Sequence, residues 1–160
     1  MARKAEEVGV TKARMDLATT FALAILAGAF IAVGAAFATT TLAGSSDLPY
    51  GVARLLAGIT FSLGLILVVV AGAELFTGNN LIVMAWASRR VSTLSLLRNW
   101  GVVYAGNLVG SIATAGLLYV GKMYEFGGGS VGETALKIAA TNAAIGGTIE
   151  RILSAVDRAL

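Results

Sequence analysis

The apolar run from Leu55 to Ser88 constrains this chain most, because it is too long for what it must do and carries a single charge, Glu74. As one straight helix its roughly 34 residues would reach about 51 Å, well beyond a bilayer's hydrocarbon core of about 30 Å. The excess disappears if the run is two helical pieces joined by a loop. Ala71 to Asn80 (Ala-Gly-Ala-Glu-Leu-Phe-Thr-Gly-Asn-Asn) is where that loop belongs. Gly72, Gly78, Asn79 and Asn80 are poor residues for a continuous helix, and a carboxylate at membrane depth costs at least a few kcal/mol. Backbone freed by such a break must line a cavity or be buried in protein, since lipid cannot satisfy it. Discontinuous helices of this kind build solute sites in membrane transporters.

A membrane setting follows from composition. Hydrophobic residues make up 57% of the 160 and charged residues only 13%, against about 45–50% and roughly 25% in soluble chains. The net charge of +3 does not point to nucleic acid, because Lys and Arg sit in the short stretches between apolar runs, where they set topology. There is no cysteine and no histidine. Disulfide, thiolate and His-based metal or proton chemistry are therefore excluded, and with Glu74 lacking any evident catalytic partner, no catalytic residue, metal site or cofactor is expected.

The order along the chain completes an all-α membrane fold. Residues 1–16 form a polar N-terminal lead of helical character, and the apolar run behind it is too long for a signal-peptide core, so it is expected to stay in the mature protein. Leu17 to Ser46 is uncharged and holds the first span, with Thr39, Thr40 and Thr41 able to return their hydroxyls to the preceding turn. Pro49 marks the first aqueous loop. The broken segment is the second span, with the break at 72–80, and Asn99 to Gly121 is the third. There Gly106 and Gly110 form a GxxxG step around Asn107, a pattern for close helix packing with an interhelical hydrogen bond. Trp86, Trp100 and Tyr104 are placed at one interface and Tyr119 and Tyr124 at the other. The membrane domain thus covers 17–122. Residues 123–160 are read as a Gly-rich linker and a tail too polar and interrupted to span, ending in a short amphipathic helix with Ile149, Ile152, Leu153, Val156 and Leu160 on its apolar face. Counting Lys and Arg puts the N-terminus inside, with Arg89, Arg90 and Arg98, and Arg54, Lys122 and Lys137 outside.

Ala-Gly-Ala-Phe-Ile (27–31), Phe-Ser-Leu-Gly-Leu-Ile-Leu (61–67), Gly-Ala-Glu-Leu-Phe-Thr-Gly-Asn (72–79), Asn-Trp (99–100) and Gly-Asn-Leu-Val-Gly (106–110), in this order and spacing, resemble the formate/nitrite transporter family. The resemblance implies a multi-pass protein of the cell inner membrane. It implies a pentamer of protomers, each with its own pore and an aquaporin-like inverted repeat of three-helix halves, of which this chain supplies the first. It also implies that the break is an omega-type loop, that Phe61, Leu65, Leu75 and Phe76 form apolar constrictions, and that Thr77 offers its hydroxyl to the solute. Glu74, with Gly78 and Asn79, is assigned to loop support, the carboxylate through hydrogen bonds to backbone N–H groups. The solutes would be small monovalent anions, formate or nitrite. Apolar walls strip hydration without replacing it, so they penalise charge and favour a transiently neutral weak acid.

Taken alone, Phe61 and Leu65 read as helix-packing residues, Glu74 as a carboxylate capping a helix end, and Thr77 as bonding its own turn. Asn142 stands where the resemblance calls for a lysine, the pattern of a fourth helix is lost from Ala143, and the second half with its histidine is missing. The expectation is a truncated channel subunit that transports nothing alone. The competing reading is a non-transporting half-repeat that packs with, or regulates, a full-length homologue.

Overall fold

The computed structural model describes residues 2–157, with no account of the side chains at 2, 5, 145 and from 148 onward. It is helical throughout: α1 (Ala2–Arg14), α2 (Leu17–Ala43), α3 (Tyr50–Val70), α4 (Phe76–Asn79), α5 (Ile82–Ala87), α6 (Thr93–Val120) and α7 (Ser130–Asp157), with one 3-10 turn at Met123–Glu125. Three helices, α2, α3 and α6, are long and apolar enough to cross a membrane.

Local sequence explains where they start. Asp16 caps α2 by accepting from the Thr19 N–H at 2.8 Å, and that bond holds its carboxyl below the ordinary value of 3.8. Ser92 caps α6 by accepting from the Ser95 N–H. Pro49 immediately precedes α3, where its fixed φ and missing N–H cost nothing.

α2 is the central element, packed against α3 on one side and α6 on the other. Glycines permit both approaches. A Cβ on Gly110 would lie 2.0 Å from the Ile25 carbonyl oxygen, and one on Gly28 would lie 2.1 Å from that of Asn107. A Cβ on Gly34 would come within 2.9 Å of the Phe61 oxygen, and one on Gly64 within 2.7 Å of the Phe30 oxygen. Backbones this close gain dispersion contacts that bulkier side chains would forbid, which is how helices associate in lipid. Thr39, Thr40 and Thr41 donate to the carbonyls of Ala35, Ala36 and Phe37. α1 lies against α5 and α6, where Ala13, Ile82, Ala85, Val91 and Leu96 make a small apolar core.

The C-terminal region departs from expectation. Instead of an interrupted tail ending in a short helix, α7 runs unbroken for 28 residues from Ser130. The glycines of Gly127–Gly128–Gly129 all have positive φ, so the turn they make is tight, and the helix begins directly behind it. The apolar face expected over Ile149, Ile152, Leu153, Val156 and Leu160 concerns side chains outside the described residues.

Candidate functional site

The second apolar segment is broken, and the break is built from a helix ending that only one residue type makes without strain. α3 stops at Val70. Gly72 adopts φ +62°, the Gly72 N–H reaches the Val69 oxygen and the Ala73 N–H reaches the Val68 oxygen at 2.9 Å. This pair of bonds is a Schellman ending, for which glycine in the left-handed region is the usual residue. Five residues then run from Ala71 to Leu75 before the single turn of α4 and the short α5.

The backbone released by the break is satisfied by protein. The Glu74 N–H donates to the Leu23 oxygen of α2 at 3.2 Å, and the Phe76 N–H donates to Asn107 Oδ1 at 2.9 Å. Asn107 Nδ2 donates in turn to the Glu74 oxygen at 2.9 Å and to the Ala24 oxygen at 2.8 Å. One side chain on α6 thus ties the break to α2. Gly106 and Gly110 flank it on the face where α2 and α6 meet, which lets Asn107 reach that far.

Glu74 is the centre of a second network, and its partners differ from those expected. Both carboxylate oxygens are taken by side chains. Lys12 Nζ lies 2.6 Å from Oε1, and Asn79 Nδ2 donates to Oε2 at 2.7 Å. Lys12 also donates to Asn79 Oδ1 at 3.1 Å, Asn79 Nδ2 to Asn99 Oδ1 at 2.9 Å, and Asn99 Nδ2 to the Lys12 carbonyl at 3.3 Å. The carboxylate side chain is 4% exposed and the lysine 21%, while Asn79 is fully buried. Support of the loop by backbone N–H groups is therefore corrected to support by an ion pair and two amides. A buried carboxylate gains more from a charged partner than from neutral donors alone, because a full opposite charge offsets more of its desolvation.

Beside this network lies a cavity of about 330 Å³, lined by Leu65, Val69, Leu75, Thr77, Gly78 and Lys12 among others. Leu65, Leu75 and Thr77 are thus brought to one wall. Phe76 is not on it; its ring packs against Trp100 at 6.1 Å and edge-on against Tyr104 at 5.8 Å. Phe61 is half-buried one helical turn before Leu65, also away from this wall, with its carbonyl at the α2–α3 crossing. Among the described residues no group of three or more His, Cys, Asp or Glu side chains could hold a metal ion.

Three residues of the site were not assigned to it from sequence. Lys12 read as a topology signal, Asn99 only as part of a motif, and Trp100 as an interface anchor, whereas its indole N–H donates to the Asn79 carbonyl at 3.3 Å. A usable signal existed for Lys12: an intramembrane carboxylate calls for a cation, and the lead directly before the first span supplies several.

Comparison with known proteins places this geometry. A family model described as formate/nitrite transporter matches residues 1–156. The chain belongs to the formate/nitrite transporter family. Among its relatives, the formate channel FocA of Escherichia coli strain K12 is 46% identical over 139 residues, which cover 87% of this chain and 49% of the relative. The formate channel FocA of Haemophilus influenzae is 38% identical over 135 residues, covering 84% and 48%. A solved structure described as a pentameric formate channel with formate bound superposes with a TM-score of 0.73 at 45% identity, covering 78% of this chain and 49% of that one. The chain spans about half the length of the relatives it matches. Membership in this family, with three helices able to span a bilayer, makes it a membrane protein.

Proposed function

We propose that this chain provides one half of a pore for small monovalent anions of weak acids, formate first and nitrite with it, in the cell inner membrane with its N-terminus in the cytoplasm. The supporting observation is the cavity at the helix break, where Leu65, Leu75 and Thr77 share a wall with the Lys12 end of the ion pair. Apolar groups make up most of that wall, so an anion entering it loses hydration, and the exposed Thr77 hydroxyl returns part of what is lost. Lys12 is neutralised by Glu74, so it attracts an anion without fixing it there. Binding that is too tight would stop conduction.

The family relation supports the remaining parts of this reading. The break is an omega-type loop, the three spans are the first half of an aquaporin-like inverted repeat, and the working unit is a pentamer with one pore per protomer. Phe61 and Phe76 act as constrictions facing the second half, and the protein performs transport rather than catalysis. The test is formate and nitrite flux into proteoliposomes from a chain carrying both halves of the fold. Thr77→Ala is expected to lower flux about tenfold, one lost hydrogen bond of roughly 1 kcal/mol or more at a desolvated step, while the oligomer survives gel filtration. Unchanged flux would remove Thr77 from the solute path.

A further inference from the structure

A second cavity, of about 660 Å³, lies away from the helix break, at the turn between α5 and α6. Its lining includes Trp86, Arg89, Arg90, Ser92 and Thr93. α6 begins at Thr93 and runs 28 residues, about 42 Å at 1.5 Å per residue, so a centred helix carries its ends past the hydrocarbon to headgroup depth. The cavity therefore sits at the level of lipid phosphates. About 6 Å further along α6, Leu97 is 56% exposed, an apolar surface suited to acyl chains.

The two arginines at this level are differently engaged. Arg90 Nη1 is 3.6 Å from Glu6 Oε1, a long and half-exposed pair, and the Arg89 guanidinium has no partner among the described residues. Arg89 also sits at φ +60°, directly after the end of α5, with its N–H bonded to the Trp86 oxygen and the next N–H bonded to that of Ala85. Glycine meets this conformation without strain and an L side chain does not. An arginine held there against its backbone preference, with its charge unused among the described residues, is available to a group outside them.

We propose that this cavity seats the phosphodiester headgroup of an anionic phospholipid. Arg89 and Arg90 bind the phosphate oxygens and Trp86 packs at the glycerol level. Its indole N–H is already committed to Thr93 Oγ1 at 3.0 Å, so it contributes surface rather than a donor. Guanidinium groups suit phosphate because their paired N–H donors match two of its oxygens, and basic pockets facing the headgroup layer are where such lipids are held. This site is separate from the solute cavity, and the inference does not depend on what the pore carries.

The experiment is a titration of the purified chain in neutral micelles with dioleoyl phosphatidylglycerol and dioleoyl phosphatidylcholine, read as bound lipid by native mass spectrometry. Phosphatidylglycerol is expected to bind at least tenfold more tightly. Arg89→Gln and Arg90→Gln should each weaken it about fivefold, the effect of one charge at a lipid surface. Arg89→Gly is the deciding variant, since it relieves the backbone while removing the side chain that carries the guanidinium. It should weaken lipid binding as Arg89→Gln does, with a melting temperature equal to or above that of the parent. Equal binding of the two lipids, or unchanged phosphatidylglycerol affinity in Arg89→Gly, overturns the proposal. So does displacement of the lipid by micromolar inorganic phosphate, which would mark a site for free anions.

Discussion

Removing the Lys12 ammonium and removing the Glu74 carboxylate are unequal changes, although they break the same pair. Lys12→Met leaves a carboxylate that is 4% exposed with only the Asn79 amide as donor, and a cost of about 3 kcal/mol is expected for the stranded charge. Glu74→Gln leaves an ammonium that is 21% exposed and can turn toward water, so about 1 kcal/mol is expected. Denaturant titration of both single variants and the double variant in micelles would separate these terms. Equal single costs would mean that burial does not govern the pair. Sequence made part of this chemistry legible and hid the rest for a physical reason. Glu74 stood out because a charge in an apolar run is anomalous wherever it occurs. Lys12 did not, because a lysine before a first span is ordinary, and its partner lies 62 residues away. Trp100 was read only in part: an indole near the end of a span is common at interfaces, and nothing local reveals the Asn79 carbonyl it meets.

At the scale of elements, the α2–α6 crossing rests on the absence of a methyl group. Gly110→Ala would put a carbon 2.0 Å from the Ile25 oxygen, backbone against backbone, with no side chain able to yield. A loss of about 1–3 kcal/mol or more is expected, with the helices forced apart. Gly116→Ala, six residues further along the same helix, meets nothing within 4 Å. It should be neutral or stabilising by about 0.5–1 kcal/mol through helix propensity alone. Thermal unfolding of the two variants in one detergent checks the contrast, and equal effects would dismiss the crossing as the cause. The GxxxG spacing exposed this contact because packing in lipid leaves a local signature in small residues. The unbroken α7 was harder to read. Its glycines and polar residues argue against a membrane span, yet they do not prevent a helix.

Across the whole molecule the three long helices make testable commitments about sides. If α2, α3 and α6 each cross once, residues before α2 and after α5 share one side, and residues after α2 and after α6 share the other. The chain has no cysteine, so single-cysteine variants need no background removal. In cells, an impermeant maleimide should reach Asp47→Cys and Lys122→Cys from outside and should miss Lys4→Cys and Ser88→Cys until the membrane is opened. Labelling of all four from outside would defeat the three-crossing arrangement. The large apolar side chains left open on α3 and α6, such as Ile59, Ile66, Leu108 and Ile112, are the surface that lipid or other helices must cover in that arrangement.

The hydrogen bond from the Glu74 N–H to the Leu23 oxygen turns helix length into a measure of depth. Leu23 lies six residues beyond Leu17, the first residue of α2. Glu74, four residues past the end of α3, therefore lies about 9 Å along α2 from the level at which that helix begins. At that level the acid, its amides and the lysine from before α2 meet. One residue added within α3 would turn everything after it by about 100° and push it 1.5 Å along the axis, carrying Glu74 out of register with Lys12. The chemistry at the break is thus fixed by how far α3 runs before it ends, and a change that alters no side chain there could still abolish it.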